Sequence, residues 1–398
     1  MLYLAMKQPK CKKLVPFLLL ILLSSKLFAQ EIEIINKLNN VIKPINTLKP
    51  DTSFTDIDFL SKVLSTKEII ALGEVTHGTK EVYAYKDRLI RYLVSNLNYK
   101  TIAFEADYTA LEIIDNYING SIDSTAMSPN YKPLFLWLRA YNKTKSEQNK
   151  VHVYGLEIRE FSGAIDKILD SNKDINQPDR EVLLKIKNAQ FDKIEKENLD
   201  NFRMVCTRLP KNLNSKMLIQ LIDNYHNFIG INSKIGFRDK YLAENLIAIK
   251  ESTNDKKLII WAHNGHVAKT SLYNKPPMGE YLNRDYSDKY YVIATDINKG
   301  NVSVRIPATK NKPISDWQPL YYPEVSSKNG YEYYFKQCKY KNFILDVHEA
   351  ITDNQLSSFL TQQKEMRMIG GLSFPVNKNL SIANNFDMIV YFDETNSI

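Results

Sequence analysis

Five short apolar runs constrain this chain more than any other feature of it. They are Ile69–Glu74 (IIALGE), Thr101–Glu105 (TIAFE), Val151–Glu157 (VHVYGLE), Leu258–His263 (LIIWAH) and Tyr291–Asp296 (YVIATD). Each is nearly continuous in apolar character instead of alternating, as a strand buried on both faces requires. Helical spacing separates several of them. Val82 to Leu97 carries Tyr85, Leu89, Tyr92 and Leu93 on one stripe, and Tyr108–Ile118 and Pro133–Tyr141 are similar. The alternation predicts a three-layer α/β/α fold with a mostly parallel central sheet.

Between the third and fourth runs the pattern changes. Residues of about 162–250 are rich in Lys, Asp, Asn and Leu at helical spacing and hold no convincing strand, which predicts a helical insertion in the core. Later β-like runs (Val302–Ile306, Phe343–Val347, Met366–Ile369 and Met388–Phe392) are expected to complete the sheet or to form an antiparallel edge. No linker marks off a C-terminal unit, so residues 30–398 read as one domain.

The formal charge of +8 first suggests a nucleic-acid partner. Five lysines and no acid lie in residues 1–30, however, and without them the charge is only +3, which argues against nucleic acid. Those residues have another explanation. Lys7 to Lys13 form a positive stretch, Leu14 to Leu23 (LVPFLLLILL) an apolar core, and Ala29 offers a small residue for cleavage. This is the layout of a secretory signal, with an apolar run too short to span a bilayer comfortably. The expectation is a mature protein starting near Ala29 or Gln30, periplasmic or secreted, with no membrane partner after cleavage. Cys206 and Cys338 then remain, neither with a C-x-x-C partner, and both read as structural or free.

All five early runs close on an ionisable residue: Glu74, Glu105, Glu157, His263 and Asp296. Ligands of open parallel sheets bind beyond the carboxyl ends of the strands, so these residues are predicted to face one crevice. The densest segment is Gly73–Glu81 (GEVTHGTKE), in which two of only 13 glycines stand close to His77. Thr79 is placed to cap the following helix, whose start biases His77 toward the neutral form that a general base needs. The segment WAHNGH (Trp261–His266) places His263 and His266 three apart. With carboxylates they could ligate zinc, or they could orient a water and stabilise an oxyanion. There is no G-x-S-x-G elbow, phosphate loop or dinucleotide fingerprint.

These motifs resemble the erythromycin esterase family. GEVTHGTKE (Gly73–Glu81), AFEAD (Ala103–Asp107), YGLE (Tyr154–Glu157), RDKYLAENL (Arg238–Leu246), WAHNGHV (Trp261–Val267) and MGEYL (Met278–Leu282) follow the family's order, as do YYVIATDINKG (Tyr290–Gly300) and FDMIVYFDETNS (Phe386–Ser397). Glu157 stands where the family usually has Asp. The resemblance implies a hydrolase that opens macrolide lactones with no covalent intermediate and no metal or other cofactor. It puts His77 at the general-base position, and Glu74, Glu105, His263 and His266 at active-site acid and histidine positions. Arg238 falls on a recurring arginine and is expected to contact an oxyanion or carboxylate; Arg238 and Glu157 are the expected substrate-binding residues. The implied partner is a small-molecule ester or lactone. Two other readings stay open: a metal-dependent hydrolase using the same Glu and His residues, and a binding protein without turnover.

Overall fold

The computed structural model describes residues 30–189, 194–229, 236–253, 255–272 and 275–398. The expected signal segment, residues 1–29, lies outside the described residues. Among those described, no helix is long and apolar enough to cross a membrane.

Among the described residues eleven strands form: β1 (Lys43–Pro44), β2 (Ile69–Glu74), β3 (Thr101–Asp107), β4 (His152–Glu157), β5 (Leu258–His263), β6 (Tyr290–Val304), β7 (Gln318–Tyr322), β8 (Asn342–Asp346), β9 (Lys364–Arg367), β10 (Asn377–Leu380) and β11 (Met388–Thr395). Nine of them build one sheet in the order β1-β8-β11-β6-β2-β5-β3-β4, with β7 pairing β6. The run β11-β6-β2-β5-β3-β4 is parallel throughout, while β1, β7 and β8 pair antiparallel. Strands β9 and β10 form a separate antiparallel pair.

Helices cover both faces, as the apolar runs demand. On one face Leu72, Ile102 and Ile293 pack with Leu89, Leu93 and Leu138 of the helices Lys80–Leu97 and Lys132–Asn142. On the other, Ala71, Ile260 and Val292 pack with Leu246 and Leu282 of the helices Gly236–Thr253 and Met278–Tyr286. The insertion between β4 and β5 consists of the helices Phe161–Ser171, Gln177–Lys187, Lys196–Arg208, Leu213–Ile229 and Gly236–Thr253. It has an apolar cluster of its own around Phe161, Leu199, Phe202 and Leu218.

Two expectations need correction. The run Tyr291–Asp296 does not end at its acid. Strand β6 continues to Val304 and absorbs the separate run expected at Val302–Ile306, because β11 and then β7 supply pairing partners along its length. Thr79 stands at the N-cap position of Lys80–Leu97, but its side chain caps nothing. Instead the C-terminal segment docks there, with Lys80 N–H donating to Asn396 O and Glu81 accepting from Thr395 Oγ1 and the Asn396 N–H. Cys206 and Cys338 are free and buried, in different apolar clusters.

Candidate active site

The parallel register decides what meets at the carboxyl edge. Glu74 of β2 stands beside His263 of β5, and β3 and β4 continue the row, bringing Glu105 and Glu157 to the same end of the sheet. Asp296 is absent from this row: it lies in the middle of β6, fully buried. The loop after β2 carries His77. A Cβ at Gly73 would lie 2.3 Å from Asn264 Oδ1, and one at Gly78 would lie 2.1 Å from Ser303 O, so only glycine allows this loop to press against its neighbours.

Two linked clusters result. In the first, His77 Nδ1 lies 2.7 Å from Glu74 Oε1. The other Glu74 oxygen accepts from Lys86 Nζ at 2.8 Å and from Trp261 Nε1 at 2.6 Å, and the ammonium sits 4.1 Å over the Trp261 ring. Burial pushes the Glu74 carboxyl up, but the Lys86 ammonium and then His77 hold it at about 2. Burial likewise brings Lys86 down to about 8 against the pull of Glu74. Glu74 is therefore a fixed anion at the back of His77.

In the second cluster Arg238, near the start of the helix Gly236–Thr253, donates from Nε to Glu157 Oε2 at 2.7 Å and from Nη2 to Glu105 Oε1 at 2.9 Å. Arg159 Nε reaches Glu157 Oε1 at 2.8 Å. The second Glu105 oxygen accepts the His263 backbone N–H at 3.0 Å. Despite burial, the charges of His266 and Arg238 hold Glu105 well below the usual carboxylate range. His266 Nδ1 meets Asp239 Oδ1 at 2.6 Å, and Asp239 also accepts the Met278 N–H. Burial lowers His266, yet Glu105 and Asp239 leave it raised on balance.

His263 sits between the clusters, its ring 5.3 Å from that of His77 and 6.4 Å from that of His266. Its Nδ1 accepts the Gly265 N–H at 3.1 Å, which places the ring proton on Nε2. That Nε2 is buried and has no hydrogen-bond partner among the described residues. Burial, reinforced by the charges of His77 and His266, lowers His263 to about 3, so it is neutral at pH 7.

The carboxylates are thus occupied by cationic and N–H donors where a metal ion would need to bind. Among the described residues no group of three or more His, Cys, Asp or Glu is arranged to hold one. Three charged members of the site escaped the reading of the sequence as functional groups: Lys86, Arg159 and Asp239. Lys86 left a signal, since it lies at helical spacing with Val82, Leu89 and Leu93 on the buried stripe. A lysine there needs a buried anion as partner.

The model of the family described as "Erythromycin esterase" matches residues 94–207 and 213–395. The matched stretch holds Glu105, Glu157, Arg238, His263 and His266, while Glu74, His77 and Lys86 precede it and join by the contacts above. Erythromycin esterase type II of Escherichia coli is 22% identical over 329 residues, 68% of this chain and 78% of that protein. Among solved structures, a succinoglycan biosynthesis protein superposes with a TM-score of 0.80 at 20% identity, covering 92% of this chain and 98% of the other. A variant of the erythromycin esterase EreC in its open conformation superposes with a TM-score of 0.67 at 17% identity, covering 89% and 98%. With the family model matching well over half of its residues, the chain belongs to the erythromycin esterase family.

Proposed function

We propose that this protein is an ester or lactone hydrolase in which His77 activates water and His263 binds the oxyanion. One observation carries the reading: the two neighbouring imidazoles hold complementary tautomers. His77 donates from Nδ1 to Glu74, which leaves the Nε2 lone pair as base. His263 accepts at Nδ1 and keeps an unpartnered Nε2–H as donor. Water loses a proton to His77 Nε2 and attacks the carbonyl carbon, and the carbonyl oxygen becomes an oxyanion held by His263. The tetrahedral intermediate collapses, the C–O bond to the alcohol breaks, and the alkoxide takes the proton back from His77. The products are an acid and an alcohol, or one hydroxy acid from a lactone. Glu74 stabilises the transient imidazolium, while Lys86 and Trp261 keep Glu74 anionic and in place.

His266 and Arg238 are less suited to bind the oxyanion, because each already faces Asp239, Glu105 or Glu157. Arg238 instead fastens the helical insertion to Glu105 of β3 and Glu157 of β4, beside the carbonyl site. The test is a panel of macrolides and simple lactones, followed by mass spectrometry. At least one should gain the mass of one water with wild type and not with His77→Ala. A panel untouched by wild type would refute the reading. We also propose export, on the pattern of residues 1–29. Secreted or periplasmic protein should begin near residue 30 on N-terminal sequencing, and a start at Met1 would refute it.

A further inference from the structure

Several large apolar side chains of this protein are exposed, and four of them lie on two loops that are bonded to each other. Trp317 is 53% exposed, Phe374 60%, Leu372 39% and Ile306 37%. They belong to two loops, one between β6 and β7 and one between β9 and β10. These loops are stitched together: Arg305 N–H donates to Gly371 O at 2.9 Å, Ser373 N–H to Arg305 O at 3.1 Å, and Tyr322 OH to Ser373 O at 2.9 Å. Arg305 Nε also holds Ser315 O at 2.9 Å. The apolar groups are therefore presented on a braced backbone.

The position of this surface gives it a meaning. A Cβ built on Gly371 would lie 3.2 Å from Trp317 Cη2 and 3.6 Å from His77 Cδ2. Gly371 is thus the thin spacer between the indole and the imidazole, and any larger residue would fill the gap. The same frame holds the His77 loop, since Ser303 N–H donates to Gly78 O at 2.9 Å, two residues before Arg305. An exposed indole separated from a catalytic ring only by the space over one glycine is poorly placed to dock a distant surface. It is well placed to be covered by substrate.

We propose that Trp317, with Leu372, Phe374 and Ile306, is a specificity wall that takes the extended apolar part of the substrate next to the scissile carbonyl. This inference rests on the hydrolase reading of His77. It makes the preferred substrates esters or lactones with a long aliphatic or ring-bearing group there, over short or charged ones. None of these four residues belongs to the hydrogen-bonded clusters of the site.

The experiment has two arms. In the first, kcat/KM is measured for p-nitrophenyl acetate and p-nitrophenyl decanoate. Wild type should favour decanoate, and Trp317→Ala should lower the decanoate-to-acetate ratio about tenfold, because the indole no longer covers the alkyl chain. Leu372→Ala should lower it by a smaller factor. In the second arm, His77→Ala protein, which cannot turn over, is titrated with 2-decanone and 2-butanone by calorimetry. 2-Decanone should bind more tightly, and Trp317→Ala should weaken it about tenfold. If wild type hydrolyses no ester but the ketone preference holds, the wall stands and the hydrolase reading falls. If esters are hydrolysed while Trp317→Ala leaves both preferences unchanged, the wall is overturned. It is equally overturned if wild type shows no preference for the longer compounds, or if Trp317→Ala affects only binding to phosphatidylglycerol vesicles.

Discussion

Two pairs of carboxyl groups are buried against the same sheet, and their surroundings drive them in opposite directions. Glu74 ends β2 and Glu105 lies two residues short of the end of β3, whereas Asp296 and Glu332 meet between the middle of β6 and the short helix Tyr331–Phe335. Burial raises all four. At the first pair Lys86, His77, His266 and Arg238 outweigh it and hold both groups anionic. At the second, Arg367 is the nearby cation, but its guanidinium Nη2 goes to Pro323 O and only its backbone N–H, at 2.6 Å, serves Glu332. There burial prevails, and both carboxyls stay raised. A buried acid by itself therefore says little about function. An acid with a buried cation behind it and a histidine in front of it says much more.

The largest effect that tests this contrast belongs to the histidine. His77→Ala should reduce kcat by at least ~10²–10⁴-fold, the range for losing a general base. It should leave thermal unfolding almost unchanged, because the side chain is 30% exposed on a loop outside the apolar core. Retention of more than about a tenth of wild-type kcat would remove His77 from the role of base.

The next effect is on stability. Glu74→Gln keeps the shape of the side chain but leaves Lys86 buried without its anion, which should destabilise by about 3–5 kcal/mol in urea unfolding. Adding Lys86→Met removes the stranded charge, so the double variant should recover much of that loss. A single variant within about 1 kcal/mol of wild type would mean that the pair does not carry charge.

A third effect is read through pH. His263 has a folded pKa of about 3, below the roughly 6.5 of an unfolded histidine. The unfolded chain therefore binds an extra proton between those values. Its contribution to stability is complete above pH 6.5 and drains away as pH falls toward 3. Between pH 7 and pH 5, wild type should lose about 2 kcal/mol more than His263→Gln, which has nothing to titrate. Equal losses would show that His263 can take up a proton in the folded state, which would disqualify it as a neutral donor.

Much of this was legible in the sequence, for identifiable reasons. IIALGE and LIIWAH coincide with β2 and β5 because a strand covered on both faces must be apolar from end to end. The row Glu74, Glu105, Glu157 and His263 follows from parallel strands of similar length. What the sequence hid was long-range pairing. Asp296 looks like Glu74 in the chain, an acid after an apolar run, yet β11 carries the ladder past it. Thr79 has the chemistry of a cap, but the segment that satisfies the helix start arrives from Thr395 and Asn396. Arg238 and Glu157 are 81 residues apart, and no local pattern announces that they touch.

The smallest expected effect lies at the second carboxyl pair. Asp296 Oδ1 accepts the Ile297 N–H at 2.8 Å, an interaction that an asparagine can keep with its own oxygen. If burial holds Asp296 and Glu332 raised so that the pair retains a proton, the side-chain amide N–H introduced by Asp296→Asn can stand in for that proton toward Glu332. Asp296→Asn should then change stability at pH 7 by no more than about 1 kcal/mol, unlike Glu74→Gln. The pH dependence gives a second check with a definite sign. An acid raised by folding binds its proton more tightly in the native state, so wild-type stability falls as pH rises from the unfolded value, roughly 3.9, through the folded one. The amide variant lacks that group's titration, so it should gain on wild type as pH increases, never lose. Urea unfolding of both proteins across neutral and mildly alkaline pH decides the matter. A loss of several kcal/mol, or a gap that widens against the variant as pH rises, would mean that Asp296 is an ionised partner of Arg367, and the contrast between the two carboxyl pairs would collapse.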